Sequence, residues 1–216
     1  MRLLTVCLTL TVAVATEARA VDTCDGISHE RPSDLQIGRI IGSGPAFLSA
    51  GLTPCDPQDA SCKAYGHPSV SSGATVAISG AADEHICVEA PVLNGKRRLF
   101  GWLPRDRVKV LPANGVRPLG WWAASWRALD RRIDIWIDKG ELKSEAGALW
   151  QGPFSRHFGQ FSGSMQLQPD GVLYSNGCEV KLMGLEQQIV AIDNNHCGAL
   201  NVRFSGFYTR HRLGEK

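Results

Sequence analysis

Hydrophobic and polar residues alternate with a period of two along much of the chain, which is the pattern of half-buried strands. Val76 and Ile78, for example, are separated by a small residue. In the first half of the sequence such runs predict strands at residues 35–41, 46–48, 73–80, 85–89, 98–103 and 108–111. Turn-forming residues separate the runs, and Asn94-Gly95 favours a tight hairpin between two of them.

The run at 98–103 leads into Gly-Trp-Leu-Pro at residues 101–104. This order of strands resembles the second half of a bacterial SH3-like (SH3b) domain, in which a Gly-Trp-[Leu/Val]-Pro element closes a small barrel. The likeness covers roughly residues 35–112 and implies an SH3-like barrel with Trp102 in its core. It also implies, as a class, binding to cell-wall peptide or glycan. Residues 85–87 read His-Ile-Cys where a Trp is often found, which argues against recognition of proline-rich peptides.

The second half of the chain contains about eight further short runs, each bounded by Gly, Asn, Asp or Pro, at near-even spacing. They lie at residues 120–126, 133–138, 141–150, 159–168, 171–174, 178–183, 188–192 and 201–210. No helical period of useful length appears. The pattern predicts an antiparallel meander that closes into a barrel or folds into a sandwich. Phe-Ser-Gly occurs at both 161–163 and 204–206, which suggests two equivalent corners of that fold.

The N-terminus has the features of a secretory signal peptide. Arg2 precedes an apolar run of about a dozen residues, and Ala18-Arg-Ala20 offers small residues at the two positions that a signal peptidase reads. The run is short for a bilayer span, which needs about 20 apolar residues. We therefore predict cleavage after Ala20, a mature protein that begins at Val21 with no membrane span, and a periplasmic or secreted location.

These patterns together predict an all-β protein, an SH3-like barrel followed by a small antiparallel β-barrel or sandwich of about eight strands. The predicted division is a signal peptide at 1–20, an SH3-like domain with an N-terminal extension at 21–112, a linker at 113–117, a barrel or sandwich domain at 118–212 and a tail at 213–216. The formal charge of +2 is close to balance, and no basic stripe is present, which argues against nucleic acid as a partner.

Six cysteines follow the predicted signal, and an even number in an exported chain indicates disulfides. Cys178 and Cys197 are alone in the second half and are expected to pair. In the first half we expect Cys55 with Cys62 across a short loop, and Cys24 with Cys87. The spacing lacks paired C-x-x-C knuckles, so the sequence predicts no metal, and we expect no cofactor.

The whole arrangement resembles a family of uncharacterised exported proteins of Gram-negative bacteria, with an N-terminal SH3-like (SH3b) domain and a C-terminal β-barrel-like domain. The likeness is carried by the Trp-x-x-x-Trp at 122–126, Cys-Glu-Val-Lys-Leu at 178–182, Ala-Ile-Asp-Asn-Asn-His-Cys-Gly at 191–198 and Phe-Ser-Gly-Phe-Tyr-Thr-Arg at 204–210. It implies the two-module fold and export, and no particular reaction.

Catalysis by a cysteine is the sharpest chemical hypothesis that the sequence allows. Asp193, His196 and Cys197 gather an acid, an imidazole and a thiol in one short loop. The order His-Cys-Gly differs from the Ser-His-Gly-Cys context of L,D-transpeptidases, and a disulfide to Cys178 would remove the nucleophile. We therefore predict that the protein is not an enzyme.

Trp136 is the candidate binding residue, because alternation places it opposite Ile133 and Ile135, between Asp134 and Asp138. An outward Trp beside carboxylates suits stacking on a glycan with recognition of its hydroxyl groups, or a hot spot for a protein. Packing of Trp136 against the first module is the preferred alternative. For Trp126 and Trp150 we expect positions in the barrel interior or at its end.

The sequence therefore predicts a non-catalytic periplasmic binding or interaction protein, directed at a cell-wall glycan or peptide or at an envelope protein. The alternatives are a protein inhibitor of a lysozyme-like hydrolase in the periplasm and, least favoured, a cysteine-dependent enzyme that uses His196 and Cys197.

Overall fold

A computed structural model describes residues 24, 26–27, 35–49, 68–91, 99–112 and 117–214. Almost all of its regular secondary structure is β-strand, as predicted. The strands of the first module are β1 (Gln36–Ile40), β2 (Ala46–Phe47), β3 (Ser69–Val70), β4 (Thr75–Ala82), β5 (His85–Ala90), β6 (Leu99–Pro104) and β7 (Val108–Val110). The predicted signal peptide and residues 50–67, between β2 and β3, lie outside the described residues.

Five of these strands form one antiparallel sheet in the order β6-β5-β4-β1-β7, while β2 and β3 pair as a separate hairpin. A single 3-10 turn, Arg105–Arg107, joins β6 to β7. The first strand therefore lies between the fourth strand and the last. The alternation seen in the sequence separates the two faces of this sheet, since Val76, Ile78 and Val88 are buried in one apolar cluster and Ala77, on the other face, is buried in another.

The Gly-Trp-Leu-Pro element lies where another part of the chain crosses the sheet. The backbone of Trp102 exchanges two hydrogen bonds with that of Ser49, at 2.8 and 3.1 Å. A Cβ on Gly101 would come within 2.8 Å of the Ser49 carbonyl oxygen, so only glycine permits this approach. The Trp102 side chain is fully buried against the Cys24–Cys87 disulfide, and its predicted place in the core is confirmed.

The second module is a closed eight-stranded antiparallel barrel. Its strands are β8 (Ala124–Ala128), β9 (Arg131–Asp138), β10 (Glu141–Gln151), β11 (Arg156–Gln168), β12 (Gly171–Ser175), β13 (Glu179–Gly184), β14 (Gln188–Asp193) and β15 (Gly206–His211). Each pairs with the next along the chain, and β15 pairs with β8 to close the ring. Of the two architectures that the sequence allowed, the structure therefore has the barrel.

Two predicted strands are shorter in the structure than the pattern indicated. Residues Leu119–Trp122 form a helical turn, α1, because the N–H of Trp121 bonds the carbonyl of Pro118 at 2.8 Å. β8 begins only after that turn, and the turn's last carbonyl accepts a hydrogen bond from the Trp126 indole at 2.9 Å. Similarly, β15 begins at Gly206, since the preceding residues belong to a loop that is tied to a buried carboxylate.

Aromatic side chains fill the barrel interior. Trp126 is fully buried and Trp150 packs half-buried against the same core, as expected for both. Phe161 and Phe204, which begin the two Phe-Ser-Gly segments, meet with ring centroids 4.9 Å apart. The glycine of each segment has a positive φ, 146° and 141°, a backbone conformation that favours glycine. The two segments are nevertheless placed differently, since residues 161–163 lie within β11 whereas Gly206 begins β15.

An apolar cluster joins the first module to the barrel. It contains Ile37 of β1 and Ala77 of β4, packed with Met183 of β13 and with Val190 and Ile192 of β14. All five side chains are at most 5% exposed. The two modules therefore share buried surface, and the predicted boundary at residues 113–117 stays a prediction.

Two of the three predicted disulfides are confirmed. Cys24 is bonded to Cys87 and Cys178 to Cys197, while Cys55 and Cys62 lie outside the described residues. In the part of the chain that the structure covers, no helix has the length and apolar character needed to cross a membrane.

Candidate functional site: a groove on the outer face of the barrel

The candidate site lies on the outer face of strands β8 to β11. Inward residues of β10 such as Ala146 alternate with outward residues, of which Glu145 is directly opposite Asp134 on β9 and Ser162 on β11. The next outward position of β10 is Gly147, which pairs with Arg132 on one side. The register of three strands therefore brings charged and polar side chains from separate parts of the sequence into one row.

Gly147 opens this row into a groove of about 900 Å³. A Cβ added at Gly147 would meet no heavy atom within 4 Å, so the space above this strand is open. A volume of this size is within the usual range for ligand sites, roughly 300–1,000 Å³. The side chains that define it combine both charges with an apolar end, and they include Arg127, Arg132, Asp134, Glu145, Leu149 and Phe158.

Asp134 is the most constrained acid of the groove. Its Oδ2 lies 3.0 Å from Nε of Arg132, and its side chain is 23% exposed against 53% for the arginine. Its other oxygen, Oδ1, is buried and has no hydrogen-bond partner among the described residues. Leaving a buried acceptor unpaired costs about 1–3 kcal/mol, so this carboxylate has capacity to accept a further donor.

Trp136 follows Asp134 on the same face of β9, next to the groove. It is 37% exposed and lies opposite Lys143 of β10. The Lys143 ammonium donates to Glu141 and to the Ser164 hydroxyl, both at 2.8 Å, and its hydrogen bond and charge hold the pKa of Glu141 below its usual value. The indole thus has an exposed face beside an ordered polar cluster.

The three predicted binding residues are not equivalent in the structure. Asp134 lines the groove and Trp136 flanks it, whereas Asp138 is the last residue of β9, opposite Glu141, and does not line the groove. The alternation that placed Trp136 outward is confirmed for the centre of β9, where Ile133 and Ile135 are fully buried. The pattern does not extend to the strand end, because Ile137 is 44% exposed.

The preferred alternative for Trp136, packing against the first module, does not match the described interface. That interface uses β13 and β14 of the barrel, whereas Trp136 is on β9. Among the described residues Trp136 belongs to none of the apolar clusters. Its exposed face is therefore available to a ligand.

The loop that gathers Asp193, His196 and Cys197 is held by structural bonds. The Cys197 thiol is consumed in the disulfide with Cys178. Asp193 is 1% exposed and accepts hydrogen bonds from the backbone N–H groups of Asn195, at 2.9 Å, and Phe204. His196 is exposed and its backbone N–H bonds Asn194. The three residues thus lack the free thiol on which the catalytic hypothesis depends.

Sequence reasoning did not find Arg132, Glu145 or Gly147 as site residues. Alternation along β10 could have indicated that Glu145 and Gly147 face outward. Nothing local shows that Arg132 and Asp134 lie beside them, because that depends on the register between strands.

The groove can bind a ligand that carries hydroxyl, amine and carboxylate groups, since it offers acceptors, guanidinium donors and a neighbouring indole. Within the described ranges, no group of three or more His, Cys, Asp or Glu side chains could hold a metal ion. A comparison of the chain with protein-family models, with curated proteins and with solved structures found no match in any of the three.

Proposed function

We propose that the protein is a non-catalytic binding protein of the periplasm that recognises a cell-wall glycan or peptide at the outer groove. The observation that carries the proposal is the open groove above Gly147, with the Arg132–Asp134 ion pair of β9 on one side and Glu145 of β10 opposite Asp134. Components of the cell wall present hydroxyl groups together with free amines and carboxylates, which suit a site with both charges. The two disulfides suit the oxidising compartment that the predicted signal implies.

Asp134 and Trp136 have complementary roles in this proposal. A ligand hydroxyl or amide would donate to Oδ1 of Asp134, which has no partner among the described residues. The exposed indole of Trp136 would stack on a sugar ring or on an apolar part of a peptide. Arg132 is half exposed and can move from Asp134 to a ligand carboxylate at little cost, since exposed ion pairs contribute only about 0–1 kcal/mol.

Filling the groove should abolish binding without unfolding the protein. We expect Gly147→Tyr to weaken the binding of purified peptidoglycan sacculi by at least about tenfold, because the ring occupies the space that the ligand needs. Stability should be unchanged or slightly raised, since the position is sterically open and tyrosine favours strands over glycine. A pull-down with sacculi, beside a thermal melt, measures both effects.

The matched control is Gly147→Ala, which adds one methyl group at the same open position. This variant should bind sacculi as the unmodified protein does. If Gly147→Tyr still binds sacculi fully, the groove is not the binding site. If neither the unmodified protein nor the Ala variant binds them, the cell-wall proposal is wrong, and inhibition of a lysozyme-like hydrolase is the next activity to measure.

Trp136→Ala tests the contribution of the indole. We expect a loss of about 2 kcal/mol or more in binding free energy, as for aromatic hot spots. The melting temperature should change little, because a side chain this exposed leaves no core cavity. Loss of stability with unchanged affinity per folded molecule would instead show that Trp136 has a packing role. Asp138→Ala, at the strand end beyond the groove, is the matched control and should bind normally.

A further inference from the structure

The most exposed large apolar side chains of the described residues lie together at one end of the barrel. Four of them are more than half exposed: Leu129 at 77%, Phe154 at 99%, Phe158 at 68% and Leu200 at 73%. Every other large apolar side chain in the described ranges is at most 48% exposed. Single exposed apolar residues need no explanation, but a set confined to one end of a molecule marks an interaction surface.

Backbone hydrogen bonds show that these four residues are neighbours. The turn that contains Leu129 is tied to β10, since the N–H of Leu149 bonds the carbonyl of Asp130 at 3.0 Å. Leu149 pairs with Phe158 across the β10–β11 hairpin, whose tip carries Phe154. The carbonyl of Phe158 accepts from the N–H of Ala199 at 3.2 Å, next to Leu200. Segments 129–132, 152–157 and 194–205 therefore form one surface with the start of β11, here named the loop end.

The loop end is basic. Its three segments contain four arginines, Arg131, Arg132, Arg156 and Arg203, and one acid, Asp130, which gives 4 − 1 = +3 with histidine neutral. The chain as a whole has a formal charge of +2, so the remainder is close to neutral. Arg156 is exposed two residues from Phe154. Arg131 is 17% exposed and pairs with Asp130, so the exposed positive charge beside the apolar tips comes chiefly from Arg156 and Arg132.

We propose that the loop end docks on the surface of an anionic lipid bilayer. Phe154 and Leu200 would enter the headgroup region from two separate loops, and the exposed Arg156, with the half-exposed Arg132, would pair with lipid phosphates, to which the guanidinium fork is well matched. Apolar insertion combined with a basic patch is the pair of signals that gives stable membrane association. A bilayer surface is favoured over a folded partner because the apolar side chains project from separate loops, which a soft interface can accommodate without a complementary shape.

The test is sedimentation with lipid vesicles, using the exported and processed protein. Its N-terminus is checked by mass spectrometry, so that the apolar run of the predicted signal does not contribute. The unmodified protein should sediment with vesicles of phosphatidylglycerol and phosphatidylethanolamine and not with phosphatidylcholine, and raising the salt concentration should release it. The double variant Phe154→Ser/Leu200→Ser should bind at least about tenfold more weakly.

Leu213→Ser is the matched control, because Leu213 is 48% exposed beside Arg212 on the tail, and the strand before the tail ends next to the start of β8, away from the loop end. This variant should bind vesicles normally. The proposal is overturned if the unmodified protein ignores anionic vesicles, if it binds neutral vesicles equally, or if the double variant binds unchanged. Phe154 and Leu200 do not line the groove. If the membrane proposal is wrong but the groove proposal is right, the double variant should still bind sacculi as the unmodified protein does. If the unmodified protein does not bind vesicles and the double variant no longer binds sacculi, the membrane proposal is overturned and the loop end is a cell-wall contact instead.

Discussion

Asp193→Ala should lower the free energy of unfolding by about 2–4 kcal/mol, because it removes the acceptor of a buried backbone N–H. The carboxylate of Asp193 bonds the N–H groups of Asn195 and Phe204. The bond to Phe204 is buried and spans eleven residues, so it holds the loop of residues 194–205 against the end of β14. Without it the Phe204 N–H loses its partner beside a fully buried ring.

Two variants make this result interpretable in urea unfolding with the disulfides intact. Asp193→Asn keeps one acceptor oxygen for Phe204 and should lose only about 1 kcal/mol. Asp138→Ala removes an exposed acid from the end of β9 and should stay within about 0.5 kcal/mol of the unmodified protein. If Asp193→Ala unfolds at the same urea concentration as the unmodified protein, the carboxylate does not stabilise this loop.

Tyr208 lies beside this loop and is also held by a buried hydrogen bond. The hydroxyl of Tyr208 donates to the carbonyl of Phe204 at 2.7 Å, and the guanidinium of Arg131 lies 5.7 Å from the Tyr208 ring centroid. Burial raises the pKa of Tyr208 well above its usual value. The phenol therefore stays a hydrogen-bond donor throughout the range in which the protein would be studied, and this end of the barrel is held by neutral and charge-assisted hydrogen bonds together.

Removal of the Cys24–Cys87 disulfide should have the largest effect on stability of any change considered. The two cysteines are 63 residues apart, and loop-closure entropy then predicts a loss of about 4 kcal/mol for Cys24→Ala/Cys87→Ala. Close to the bridge in sequence, the N–H of Ile27 donates to the buried carboxylate of Glu89 at 2.7 Å. Ile27 belongs to the apolar cluster between the two modules, so its release should weaken that interface as well.

The matched comparison is Cys178→Ala/Cys197→Ala. These two cysteines are 19 residues apart, so removing their disulfide should lower the free energy of unfolding by less, about 3 kcal/mol. Urea unfolding measures both double variants, and limited proteolysis followed by mass spectrometry should find new cleavage near residues 24–27 only in the first. Equal stability of the Cys24→Ala/Cys87→Ala variant and the unmodified protein would contradict the role given to the bridge. Cleavage near residues 24–27 in the second variant instead would contradict the link between the bridge and the N-terminal segment.

The strands and the Cys178–Cys197 disulfide could be predicted from the sequence. Successive side chains of a strand point to opposite faces, and one face packs on an apolar core. The inward direction of Val76 and Ile133 can therefore be predicted without knowledge of the rest of the fold. Cys178 and Cys197 could be paired because no other cysteine lies in the second half of the chain. The helical turn α1 was not predicted, because a short run with three tryptophans in seven residues is as compatible with a strand as with a helical turn.

Closure and the site could not be predicted in this way. The barrel closes where Thr209 pairs with Arg127, a contact between residues 82 apart, and local patterning fits a sandwich equally well. The groove depends on Gly147 pairing with Arg132, and a register shift of one residue would turn each of these side chains to the other face. Proximity in sequence also misled, since Asp193 and His196 suggested chemistry near Cys197, whereas Asp193 bonds a backbone eleven residues away.

The sequence by itself determined the all-β class and the outward direction of Trp136, because both follow from residue type and short-range periodicity, and it determined the pairing of Cys178 with Cys197, because these are the only two cysteines in the second half of the chain. Only the tertiary structure decided that Asp134 lines a groove on the outer face of the barrel, and that Leu129, Phe154 and Leu200 share one end of the barrel. These residues are tens of positions apart, and their meeting is set by strand register and barrel closure, which are properties of the whole ring of strands.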